Sequence, residues 1–124
     1  MNQFTFLGTG LSEPTKRLDT FPSPLVASVC FSSSELTSFC PVTHQPDYYE
    51  IVIDYVPRAL CIEAKSLKLY LQTFRDTAQF AESLAAEIAA DINAAIAPSI
   101  VTVALHQRVR GGLQLSVTAE ARNE

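Results

Sequence analysis

The sequence predicts an α+β domain: an antiparallel four-stranded sheet with two helices on one face, in the order ββααββ. Three observations predict it. Alternating apolar runs come in two pairs, Leu25–Phe31 with Tyr49–Val56 and Ile100–Leu105 with Leu113–Val117. Between the pairs, Phe80, Leu84, Ile88, Ile92 and Ile96 recur every four residues, the spacing of one helix face. With 124 residues, 48% apolar and 18% charged, the chain suits one packed core and is too apolar to stay disordered.

Each element has a local reason. Residues 1–24 mix Gly8, Gly10, Pro14, Pro22 and Pro24 with polar side chains and read as an extended tail along the surface. The domain proper is placed at 25–119, with a short C-terminal tail at 120–124. Leu25 to Phe31 alternates Leu25, Ala27, Val29 and Phe31 with Val26, Ser28 and Cys30, a first strand. Ser32 to Tyr48 is polar and holds Pro41 and Pro46, so it is expected to be a long shaped loop. Tyr49 to Val56 forms the second strand, stopped by Pro57. Leu67, Tyr70, Leu71 and Phe74 place a short helix over 66–74. Asp76 with Gln79 is spaced as a capping box for the longer helix, which Pro98 ends. Arg110-Gly111-Gly112 then supplies a hairpin turn, because two glycines tolerate positive φ. This arrangement leaves one sheet face and both edges for another surface to cover, and oligomerisation is the simplest cover.

Composition excludes several classes of function. A formal net charge of -4 argues against binding nucleic acid by bulk charge. No run approaches a membrane span, and Met1-Asn2-Gln3-Phe4 lacks the features of a signal peptide, so a cytoplasmic protein is expected. Cys30, Cys40 and Cys61 are odd in number and contain no CxxC pair, which suggests neither a disulfide framework nor a metal site.

Two segments carry candidate chemistry. In Glu35-Leu36-Thr37-Ser38-Phe39-Cys40-Pro41-Val42-Thr43-His44-Gln45-Pro46-Asp47, a thiol and a carboxylate lie on a loop bent by two prolines. They can converge on one substrate as nucleophile and proton carrier. Taken alone, a single cysteine is more often a buried small hydrophobe. In Glu63-Ala64-Lys65-Ser66-Leu67-Lys68-Leu69-Tyr70, two ammonium groups and a hydroxyl stand at a helix entrance, where phosphate oxygens find N–H donors and positive charge. As an isolated pattern this is also a solvated helix face.

Together these segments resemble the 7-cyano-7-deazaguanine reductase family, the nitrile reductases of queuosine biosynthesis, in its short single-module form. The resemblance rests on Glu35–Thr43, Gln45-Pro46-Asp47, Glu63–Leu71, Phe74-Arg75, Phe80, Glu82 and Arg110-Gly111-Gly112. It spans Cys30 to Val117, and Phe6-Leu7-Gly8 also looks like the family's N-terminal segment. It implies the tunnelling fold, in which subunits join their sheets into a barrel with active sites at subunit interfaces. Short-form members are typically rings of five stacked in pairs.

The resemblance implies a role for each matched residue. Cys40 would add to the nitrile carbon and form a covalent thioimide, with Asp47 as the neighbouring proton donor. Two NADPH molecules would then take the thioimide to the primary amine. Glu82 would anchor the deazaguanine ring, since a carboxylate offers two acceptors to the adjacent N–H donors of a guanine edge. Ile62, Glu63 and Ala64 would line the pocket together with position 81, while Lys65, Ser66, Lys68 and Arg110 would hold NADPH.

Three residues depart from the family pattern. Ala81 stands where the family usually has His before the anchoring Glu, so a ring-contacting imidazole is missing. His44 stands where the loop usually has Gly, which is costly if the position needs positive φ. Ala64 replaces Ser or Leu. Two other readings compete: an amidine-forming relative on the same scaffold that acts on nitrile-bearing tRNA without NADPH, and a non-catalytic purine- or pterin-binding module. The lysine segment and the acidic charge balance speak against the first. Ligand binding without NADPH oxidation would reveal the second.

Overall fold

The computed structural model describes residues 13–124 of the chain. Phe6-Leu7-Gly8 and Gly10 lie outside the described residues. The order is β1 (Thr20–Pro22), β2 (Val29–Phe39), β3 (Pro46–Val56), β4 (Leu60–Ile62), α1 (Ala64–Gln72), a 3-10 turn (Thr73–Asp76), α2 (Ala81–Ile96), β5 (Ile100–Gln107) and β6 (Ser116–Arg122). The main sheet is antiparallel in the order β2-β3-β5-β6, and β1 pairs with β4 in a separate two-stranded sheet. The expected succession of two strands, two helices and two strands is present, with β1 and β4 added to it.

One face of the main sheet forms the core. Along β3 the side chains of Asp47, Tyr49, Ile51, Ile53 and Tyr55 point inward, and every second residue points out. They meet Val101, Val103 and Leu105 of β5 and the stripe Leu84, Ile88, Ile92 and Ile96 of α2, all buried. From Leu84 to Ile96 the four-residue apolar spacing read from the sequence is the buried face of α2, whereas Phe80, expected at the head of the stripe, is the exposed residue that precedes the helix. Leu67, Tyr70 and Phe74 of α1 and the 3-10 turn close the same core, with the Tyr70 and Phe74 rings edge to face at 5.3 Å. The opposite sheet face is mostly polar, with Glu50, Asp54, Thr118 and Glu120 among its outward residues.

Several elements differ from expectation, each for a physical reason. The first strand begins at Val29 instead of Leu25. Leu25 and Val26 are exposed, and the Val26 N–H donates to the Pro24 carbonyl in a tight turn. The strand then continues through the serines to Phe39, because pairing with β3 from Val29↔Tyr55 to Phe39↔Pro46 outweighs weak local propensity. A bulge between Ser33 and Leu36 absorbs the irregularity. The expected long loop of 32–48 shrinks to the turn between β2 and β3, and Asp47 sits on a strand.

The capping box of Asp76 and Gln79 is not formed. Asp76 ends the 3-10 turn, and α2 is capped by the backbone of Phe80 without a side-chain hydrogen bond. The segment between them is drawn to β2: the Phe39 N–H donates to the Thr77 carbonyl at 2.8 Å and the Gln79 N–H to the Phe39 carbonyl at 3.0 Å. The last strand is β6 at Ser116–Arg122 instead of 113–117, so Leu113 is exposed in the connection and the expected tail pairs with β5 up to Arg122. The turn itself is as expected: Gly111 and Gly112 have φ of 58° and 81°, and Arg110 and Leu113 exchange backbone hydrogen bonds across it. Residues 20–22, expected in the tail, form β1.

Candidate active site

The turn between β2 and β3 builds the site from its backbone outward. The Cys40 N–H donates to the Gln45 carbonyl and the His44 N–H to the Cys40 carbonyl, both at 2.9 Å. Closing so short a connection puts His44 in the left-handed region at φ 56°. That is the conformation in which Gly would be unstrained, so the His44 substitution carries the expected conformational cost. The same closure turns the N–H groups of Val42 and Thr43 toward the Cys40 sulfur. The Thr43 hydroxyl, these two N–H groups and Arg110 all stabilise a thiolate, and they lower the Cys40 pKa to about 7. Cys30 behaves in the opposite way: Asp54 beside it raises its thiol. Cys61 is buried in the core.

Asp47 enters from the first inward position of β3, directly across the ladder from Ser38, and is buried. Its Oδ1 accepts a hydrogen bond from Arg110 Nη1. The Arg110-Gly111-Gly112 turn explains the contact, since its tight reversal returns the arginine to the mouth of the neighbouring hairpin. Asp47 in turn holds the guanidinium in its charged form. Arg110, expected at the cofactor, thus stands with the thiol and the carboxylate. A thiol near neutrality, a carboxylate and a fixed cation at one point can add sulfur to a polarised carbon and carry the accompanying proton.

The remaining expected residues fall elsewhere in the chain. Glu63 is the buried N-cap of α1, its carboxylate accepting from Ser66 N–H at 2.9 Å and Lys65 N–H at 2.6 Å. Ser66 is fully buried, and its hydroxyl accepts from Asp19 N–H and donates to the Glu63 carbonyl. Both are engaged in holding α1 and the preceding segment. Lys68 is exposed and lines a groove of about 470 Å³ between β2 and α1, together with Ala64, Glu35 and Arg75. Ile62, Glu63 and Ala64 also border an apolar depression under Phe21 and Val26. Neither lining includes Cys40 or Asp47.

Glu82 is exposed in the first turn of α2, the helix whose entry is bonded to Phe39 beside the thiol. Ala81 is buried in the core cluster. The sequence reading missed two hydroxyls next to Asp47, those of Ser38 and Tyr49. Both are fully buried without a hydrogen-bond partner among the described residues. Their common face follows from the strand period once the strand is started at Pro46.

Fold and site together define a class, the α+β domains that set an acidified thiol beside a buried carboxylate at a hairpin end. Residues 46–124 match the profile of the QueF-like protein family, which includes Asp47 and begins just after the thiol turn. The chain belongs to that family. It is 42% identical over 115 residues to the NADPH-dependent 7-cyano-7-deazaguanine reductase of Thioalkalivibrio sulfidiphilus, covering 90% of this chain and 89% of that protein. A protein of the same name from Thiobacillus denitrificans is 40% identical over 116 residues, covering 91% and 84%. Among solved structures, the apo form of the archaeosine synthase QueF-Like superposes with a TM-score of 0.74 at 24% identity, covering 82% of this chain and 98% of that one. At that identity the likeness speaks for the fold alone.

Proposed function

We propose that this chain is an NADPH-dependent nitrile oxidoreductase that reduces 7-cyano-7-deazaguanine to 7-aminomethyl-7-deazaguanine in queuosine biosynthesis. The observation that carries the reading is the Cys40 thiol, lowered to about 7 and placed with Asp47 and Arg110. A nitrile carbon is a weak electrophile, and a group ionised near neutral pH is the nucleophile it requires. Cys40 Sγ bonds to that carbon, one C–N π bond opens, and the thiol proton travels by way of Asp47 to the nitrogen. The product is a thioimide on Cys40. Glu82 accepts from the ring N–H groups and Arg110 keeps Asp47 in place.

NADPH, when bound, supplies the reducing equivalents, two molecules for each nitrile. The exposed ammonium of Lys68 and the guanidinium of Arg75 along the β2–α1 groove fit its phosphates by charge, and Lys65 stands one turn earlier. Ser66 supports the helix entrance that presents these cations. The groove and the thiol are apart in one chain, and the outer edges of β6 and of β2 before Phe39 are unpaired among the described residues. Both features support a ring in which neighbouring subunits continue the sheet into a barrel and complete each site, two rings of five stacking face to face. The lysine pair and the reductase relatives favour this reading over the amidine-forming one. No described helix is long and apolar enough to cross a membrane.

The test is incubation with 7-cyano-7-deazaguanine, with and without NADPH, followed by intact-protein mass spectrometry and absorbance of the reduced cofactor. A covalent adduct on Cys40 without NADPH, its discharge with NADPH, and loss of both in Cys40→Ala are expected. An adduct that persists in Cys40→Ala, or maps to Cys30 or Cys61, refutes the assignment.

A further inference from the structure

Tyr49 and Ser38 are the two polar side chains that the described structure buries completely yet leaves without a hydrogen-bond partner. A buried hydroxyl in that condition is destabilising, so two together at a site of proposed chemistry call for an explanation. Their position offers one. Ser38 lies directly opposite Asp47 in the β2–β3 ladder, and Tyr49 follows Asp47 by two residues on the same inward face. The two hydroxyls face each other without completing a bond, and Asp47, Arg110 and Cys40 are the charged and titratable groups around them. Among the described residues Asp47 bonds through Oδ1 alone, to Arg110.

We propose that Tyr49 and Ser38 are positioning residues for proton transfer, providing the hydrogen-bond partners that Asp47 lacks whenever it carries a proton. The inference rests on the reading of Cys40 and Asp47 as the reacting pair. While Asp47 is a carboxylate, Arg110 satisfies it and the hydroxyls stand idle. As the Cys40 C–S bond forms, the thiol proton reaches the carboxyl group, and the neutral acid loses most of its attraction to the guanidinium. Its O–H then needs an acceptor and its carbonyl oxygen a donor, and a pair of neutral hydroxyls supplies both. Burial keeps the Tyr49 phenol neutral, since it raises the energy of the phenolate. When the proton passes to the nitrile nitrogen, Asp47 returns to Arg110. Both hydroxyls are fully buried, so they act through Asp47 and do not touch the substrate.

Tyr49→Phe, Ser38→Ala and the double variant test this. Each is measured for melting temperature, for the rate of adduct formation on Cys40 with 7-cyano-7-deazaguanine, and for noncovalent affinity for that nitrile in a Cys40→Ala background. Because the hydroxyls have no partner among the described residues, the melting temperature should stay level or rise. Affinity should be unchanged. Adduct formation should slow by roughly tenfold, a share of the 10²–10⁴ that general acid–base assistance supplies. The double variant should be no slower than the slower single one, as for two groups acting as a unit. Wild-type rates in both single variants overturn the proposal, as does a loss of rate that tracks a fall in melting temperature or an equal loss of affinity. Absence of any adduct in the wild type overturns the reading of the reacting pair and this inference with it, whereas a normal wild-type adduct with unaffected variants removes this inference alone.

Discussion

Removing the Thr43 hydroxyl, as in Thr43→Val, tests whether the turn activates Cys40. That hydroxyl is the largest of the influences lowering the thiol to about 7, ahead of the Thr43 and Val42 N–H groups and Arg110. An ordinary cysteine titrates near 8.5. At pH 7 the native thiol is therefore about half ionised, against about 3% for an ordinary one, roughly a sixteenfold difference in thiolate. A more acidic thiolate is a weaker nucleophile, and a Brønsted slope of about 0.45 over 1.5 units returns roughly fivefold of that gain. The net advantage at pH 7 is about threefold. Above pH 9.5, where both thiols are ionised, the order reverses and the perturbed protein reacts faster, by up to about fivefold if the thiol returns fully to 8.5. Because backbone donors remain, Thr43→Val should move part of that distance.

The assay is alkylation by iodoacetamide across pH 6 to 10, read at Cys40 by peptide mapping so that Cys30 is scored separately. The expected result is a native midpoint near 7, a higher midpoint in Thr43→Val, and rate curves that cross between the two limits. A native midpoint at or above 8.5, or curves that stay parallel without crossing, refutes the reasoning.

Three further outcomes are expected. Ala97 ends α2 with φ 43°, a conformation that costs an L-residue about 1–2 kcal/mol. Glycine's extra freedom in the unfolded chain offsets part of this, so Ala97→Gly should stabilise by about 0.5–1 kcal/mol and raise the melting temperature by about 2–4 °C. Replacing both Lys65 and Lys68 with Gln should raise the KM for NADPH and leave adduct formation nearly unchanged; a fall in adduct formation at constant cofactor affinity would move the segment to the nitrile pocket. Glu82→Gln should weaken ring binding by about 10- to 100-fold without changing the melting temperature, as expected for an exposed group whose charged hydrogen bonds are made only to ligand. Calorimetric titration with the nitrile in a Cys40→Ala background measures it.

How much could be read in advance depended on how local each feature is. The α2 stripe from Leu84 onward and the glycine turn are each decided within a few residues, and both were legible, whereas a positive φ at His44 was raised only as a condition by the resemblance and is supplied by the closure of the turn. The serines of β2 hid a strand because a neighbour supplies its stability, and the three-residue β1 and β4 are too short to carry a period. The Asp76–Gln79 box had the right spacing but lost its backbone to Phe39, a partner forty residues away in sequence. At the site, the thiol and the carboxylate were visible because they share one hairpin. Arg110 reaches Asp47 across 63 residues, so sequence placed it in a motif without placing its side chain. Ala81 looked like a vacant ring contact, yet its methyl is core.

The two hydrogen bonds that Phe39 makes to Thr77 and Gln79 staple the strand that leads into Cys40 to the approach of α2. They close a loop of chain that contains β3, β4 and α1, and fixing such a long loop makes the staple slow to form during folding. Once formed, it gives the thiol and Glu82 a common mechanical frame. A slide of α2 along its axis pulls on the residue before Cys40, and a peel of the hairpin tugs the helix entry. Amide protons at Phe39 and Gln79 therefore share one opening event, and their exchange rates should rise and fall together under mild denaturant and converge on a single protection free energy.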